Sequence, residues 1–207
     1  MPFASKLLPT LCMKHNLPIT VSATAYFAAA AHMILLPLYW FTAWLAATLV
    51  HEAFHLLVIW MYKVPLYNIN ITASGVKLET APMPYLTECL CALAGPIGVL
   101  LLLPGAHRFP TFVVCAYVQS IYNLLPVYPL DGGRALRCIL LRFLPYKIAD
   151  RVGNAVALCV LLALLAAGFF ASFRLNLGPI PAAAALFFLF RWLGIKIPCK
   201  DDKLRVQ

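Results

Sequence analysis

Six long apolar stretches constrain this 207-residue chain more than any other feature: about 19–37, 39–62, 86–103, 109–126, 149–173 and 180–195. A helix needs roughly 20 apolar residues to cross a bilayer, and in lipid its backbone hydrogen bonds must close within the segment. The expected class is an α-helical integral membrane protein with about six transmembrane helices. Only 11% of the residues are charged, against about 25% in a soluble domain, so a soluble helical protein with a large core is a poor fit. The expected division is a cytoplasmic segment over 1–18, a single polytopic membrane domain over 19–197 and a cytoplasmic tail over 198–207.

The formal charge of +9 is explained by topology, without direct nucleic-acid binding. Lys6, Lys14, Lys63, Lys77, Arg134, Arg137, Arg142, Lys147 and Arg151 fall on one side of the expected spans, together with Arg191, Lys196, Lys200, Lys203 and Arg205. Only Arg108 and Arg174 fall on the other. Basic residues mark the cytoplasmic side, so both termini of this multi-pass membrane protein are expected there. The first 18 residues lack the pattern of a cleavable signal peptide. The seven cysteines are scattered, with Cys115 and Cys159 inside apolar runs. They are expected to be buried or cytosol-facing thiols, not a disulfide framework.

One connection is not helical. "VPLYNINITASGVKLET" alternates through Tyr67-Asn68-Ile69-Asn70-Ile71-Thr72, turns at Ser74-Gly75 and resumes at Val76-Lys77-Leu78. The pattern predicts a short β-hairpin over about 66–79, between the second and third spans. Its exposed edge suits an extended peptide; the plainer alternative is an amphipathic loop.

The second span carries "HEAFH", residues 51–55, near its middle. A charged side chain at mid-bilayer costs about 2.5–3.5 kcal/mol on insertion scales, so an ionisable residue there points to function. His51 and His55 share a helix face at i and i+4, and both can ligate one cation. Glu52 beside the first ligand can reach a water on that cation. This is the H-E-x-x-H arrangement of two zinc ligands and a general base. A seam of satisfied histidines is the alternative, but an expensive one in lipid.

A catalytic zinc wants a third protein ligand and one open position. The carboxylates are Glu52, Glu79, Glu88, Asp131, Asp150, Asp201 and Asp202. Asp131 lies in "NLLPVYPLDGGR", where Pro126 and Pro129 break the fourth helix and Gly132-Gly133 permit unusual backbone angles. Broken helices at membrane depth line cavities, which makes Asp131 the best third ligand. His51 is 11 residues from both Trp40 and Tyr62, about 16 Å along a helix. His55 is nearer the cytoplasm, so the ligands are expected to meet in the cytoplasmic half.

"HEAFH" followed by "NLLPVYPLDGG" resembles the site-2 protease family of intramembrane zinc metalloproteases. The "AGP" of residues 94–96 and the hairpin also resemble family features, and the likeness covers about residues 45–137. Many relatives carry an Asn shortly after that Gly-Pro; "GPIGVLLL" has none, and no site role is assigned to the third span. The resemblance implies one zinc ion on His51, His55 and Asp131, with Glu52 as base. It implies that Asn123 helps hold the substrate backbone or the developing oxyanion; a helix–helix hydrogen bond is the plain alternative for Asn123. It also implies cleavage of a membrane-tethered protein in or near the cytoplasmic leaflet. The layout resembles the compact sporulation branch, where a transcription-factor precursor is the substrate. The connection over 63–85 is too short for a PDZ domain, so regulation is expected from other membrane proteins.

The principal alternative function is a membrane zinc transporter or metal-binding scaffold without proteolytic activity. Transporters commonly show inverted repeats, which this sequence lacks. A prenyl-protein endoprotease would leave the P-L-D-G-G element without a role.

Overall fold

The computed structural model of the chain describes residues 18–35, 37–72, 75–102, 104, 108–176 and 178–195. The segments 1–17 and 196–207 lie outside the described residues, and with them nearly all of the expected terminal segments.

Helix α1 spans Ala23–Leu35 and α2 spans Leu38–Met61. Strands β2 (Leu66–Thr72) and β3 (Gly75–Thr80) follow. The helices α3 (Tyr85–Leu102), α4 (Pro110–Asn123), α5 (Asp131–Phe143), α6 (Tyr146–Phe173) and α7 (Ile180–Ile195) complete the fold. By length and apolarity, α2, α3 and α6 can each cross a membrane. Helices α1, α4 and α7 hold 13, 14 and 16 residues, so the six expected spans exceed the three that pass this test among the described residues.

The expected hairpin is present. Strands β2 and β3 pair antiparallel, with a bulge between Leu66 and Asn68. The sequence expectation differs at the N-terminal side. Residues 19–21, expected as the start of a span, form strand β1 (Ile19–Val21), parallel to β2 with Ile19 opposite Ile69. Ile and Val are β-branched and suit a pleated edge, and Ser22 N–H continues the pairing to the Ile71 carbonyl at 2.9 Å. The sheet order is β1-β2-β3, so β2 is central.

Helix α2 buries Ala47, His51, His55 and Ile59. Their spacing of four residues draws one stripe along a single face, and both histidines lie on it. Opposite stands α3, whose buried residues are mostly small: Cys91, Ala92, Gly95, Pro96, Gly98 and Val99. Small residues let apolar helices approach closely where lipid offers no hydrophobic drive. At Gly98 an added Cβ would overlap the Phe54 ring. Ala47, Val99, Cys115 and Ala116 form the cluster that joins α2, α3 and α4.

Residues 124–130 interrupt the chain between α4 and α5, with a cis Tyr128–Pro129 bond. The expected fourth span therefore ends at Asn123. The following connection is helical, and α5 begins at Asp131 itself. Gly132 and Gly133 are needed for a reason other than backbone angle, since both are helical. A Cβ at Gly132 would run into the Leu124 carbonyl, and one at Gly133 into the backbone of Val127 and Tyr128. The glycines let the first turn of α5 dock on the interrupted segment. Gly133→Ala is expected to cost about 1–3 kcal/mol through overpacking, and to shift Asp131. Thermal unfolding in detergent, compared with Gly153→Ala where an added Cβ would make only an ordinary contact with Leu140 Cδ1 at 3.8 Å, checks this.

Candidate metal centre

The i, i+4 spacing on α2 turns both imidazoles toward α5, and the docking of α5 brings Asp131 to them. His51 Nε2 lies 3.0 Å from Asp131 Oδ2, His55 Nε2 lies 3.3 Å from the same oxygen, and the two Nε2 atoms are 3.1 Å apart. All three residues are buried. The group is able to hold a metal ion.

The donor chemistry supports this. His55 Nδ1 donates to the Cys91 carbonyl at 2.7 Å, which leaves the Nε2 lone pair facing the cluster. Such a bond from the second ring nitrogen orients a ligating histidine. Tetrahedral zinc with N and O donors at about 2.0–2.1 Å sets the donors about 3.3–3.4 Å apart. The observed triangle is close to that size and leaves a fourth position open. Asp131 supplies the carboxylate oxygen of the triangle. Arg134, one turn along α5, lies 3.8 Å from its second oxygen.

Glu52 is half-buried beside His51, within electrostatic reach of His51, His55, Asp131 and Arg134. Asn123 is the half-buried last residue of α4 and is not a member of the ligand cluster. The two other carboxylates that open helices do not join it. Glu88 is in the first turn of α3, and Asp150 on α6 accepts from Asn154 at 3.1 Å.

Gly95 of "AGP" was assigned no site role from sequence, yet it abuts the centre. A Cβ there would overlap His55 Nε2 and lie 2.8 Å from His51 Cε1. The missing side chain is what gives both rings room to turn toward Asp131. The visible signal was the run of small residues on the third apolar stretch; its partner across the interface was not.

Among the described residues, the fold and centre define a helical protein with three membrane-length helices, a small sheet and a buried His-His-Asp group able to hold a metal ion. No protein-family model matches the chain. It is 29% identical over 134 residues to a zinc metalloprotease of Methanocaldococcus jannaschii, covering 56% of this chain and 40% of that protein. It is 26% identical over 134 residues to stage IV sporulation protein FB of Bacillus subtilis, covering 58% of this chain and 46% of that one. The chain thus spans less than half the length of these curated relatives. The solved site-2 protease of M. jannaschii matches with a TM-score of 0.59, at 21% identity, over 85% of this chain and 89% of the other. The fold is that of the site-2 protease, and in sequence the chain is similar to a zinc metalloprotease and to a sporulation protein.

Proposed function

We infer that the chain is an intramembrane zinc metalloendopeptidase that cleaves a membrane-tethered protein in or near the cytoplasmic leaflet. The observation that carries this is the convergence of His51, His55 and Asp131 within 3.3 Å, with Glu52 next in sequence. His51, His55 and Asp131 hold the metal. Zinc, when bound, supplies a Lewis acid toward a water and a peptide carbonyl. Glu52 takes the proton of the attacking water and passes it to the leaving amine nitrogen. Arg134 steadies the Asp131 carboxylate from the side away from the histidines.

Helical register supports a role for Asn123. Gln119 on α4 bonds Thr48 on α2, and Asn123 and Glu52 are each four residues further along. Both advance about 6 Å along their helices, a register that supports a contact of Asn123 with substrate backbone or oxyanion. For an extended substrate segment, the outer edge of β3 is the landing strip, since β1 and β3 flank β2 on its two sides. Main-chain pairing there holds the peptide unwound.

The remaining features follow as part of the same proposal. The membrane domain covers about 19–197, both termini face the cytoplasm of a bacterial cell, and other membrane proteins regulate access. Likeness to a sporulation protein supports a transcription-factor precursor as the substrate class.

Detergent-purified wild type is expected to carry close to one zinc per chain, and His51→Ala and Asp131→Ala to lose it. Metal analysis beside cleavage of a panel of membrane-tethered pro-proteins checks this. Zinc retained in Asp131→Ala would remove that residue from the ligand set. Zinc-dependent flux across vesicles without cleavage would favour transport instead.

A further inference from the structure

Ligation through Nε2 leaves the proton of a neutral imidazole on Nδ1, and that N–H requires an acceptor. His55 meets the requirement at the Cys91 carbonyl. His51 does not: its ring is buried and its Nδ1 has no hydrogen-bond partner. Among the described residues, Gln119 Oε1, Ser120 Oγ and Asn68 Oδ1 are the other buried side-chain atoms in that condition. Asn68 is on the sheet. Gln119 and Ser120, 8% and 0% exposed, are neighbours on α4, whose buried face packs against α2.

Thr48 ties that face to His51. Its hydroxyl donates to the Trp44 carbonyl at 3.0 Å, which leaves its oxygen as an acceptor for Gln119 Nε2 at 2.9 Å. The amide is thereby oriented with nitrogen toward Thr48 and Oε1 unused. Thr48 precedes His51 by three residues and shares its helix face. One turn of helix thus holds a buried donor without an acceptor, facing a helix that carries a buried acceptor without a donor and a hydroxyl able to act as either. Native interiors rarely leave such groups apart.

We propose that Gln119 is the positioning residue for His51: with Ser120, it receives the Nδ1–H of His51 across one bound water, and Thr48 holds the amide in place. The water has three protein partners, the number a buried water commonly makes. The network fixes the His51 tautomer that turns the Nε2 lone pair toward the metal. This rests on the zinc assignment of the His51–His55–Asp131 centre and supplies its missing outer partner.

Gln119→Met keeps the length and bulk of the side chain and removes the acceptor; Gln119→Glu restores one. Zinc affinity by chelator competition, the absorption spectrum of the cobalt-loaded protein and thermal unfolding of the metal-free protein are the readouts. Loss of an outer partner weakens metal binding about 10–100-fold. That loss is expected for Gln119→Met, with a shifted cobalt band, unchanged metal-free unfolding, and recovery in Gln119→Glu. Wild-type affinity in Gln119→Met overturns the proposal, and so does a Gln119→Glu variant as weak as the Met variant. If Gln119→Met does not fold, Thr48→Val frees the amide and must weaken zinc; unchanged affinity there overturns it equally. Zinc that survives His51→Ala in an otherwise wild-type chain would instead sink the metal assignment beneath it.

Discussion

Glu52→Gln is expected to retain its zinc and to slow peptide cleavage about 10²–10⁴-fold, the usual worth of a positioned general acid–base. The amide has nearly the shape of the carboxylate, so packing beside His51 is preserved. It cannot accept the proton of the attacking water, and it has none to give to the departing amine. The ligands His51, His55 and Asp131 are untouched, which separates this variant from one that loses the metal. Single-turnover cleavage of a tethered substrate, with metal content measured on the same sample, decides the matter. Cleavage at the wild-type rate by a zinc-loaded Glu52→Gln protein would remove the residue from the chemistry.

A second large effect is expected at a residue that bears no functional group. Gly95→Ala would put a methyl where the two imidazoles meet, in overlap with His55 Nε2. Something must move, and α3 is held elsewhere by Val99 in the cluster of α2, α3 and α4. The rings are the freer parts, and their displacement opens the triangle of donors. Overpacking of this kind costs about 1–3 kcal/mol, which corresponds to about 5–150-fold in zinc affinity at 1.4 kcal/mol per decade. Zinc titration of the metal-free variant checks the size. Gly98→Ala, one turn away against the Phe54 ring, is the control: it disturbs the same interface and spares the ligands. Equal zinc affinity in Gly95→Ala and wild type would show that α3 yields instead of the histidines.

These two predictions differ in how early they were visible. Glu52 belongs to a five-residue pattern whose spacing matches the helical repeat, so local geometry alone puts His51 and His55 on one face. The apolar stretches, the hairpin and the pairing of His51 and His55 with Asp131 were legible for the same reason: each depends on short-range periodicity or on a scarcity of carboxylates. Strand β1 was not legible, because three β-branched residues before an Ala-rich helix look like its first turn until β2 offers an edge. Helix α5 was hidden by Pro126 and Pro129 just before it and by the glycines of its first turn, which together mark a loop in sequence; the glycines here serve its docking on residues 124–130. Gly95 and Gln119 were the least visible of all. A glycine acquires meaning only from the atoms that would strike its absent side chain, and a buried amide only from which of its bonds is left unmade. Sequence by itself determined the membrane class, the two histidines with their neighbouring acid, and the choice of Asp131. Tertiary structure alone decided how the three meet, because that depends on the close approach of α3 and the seating of α5, contacts between segments far apart in the chain.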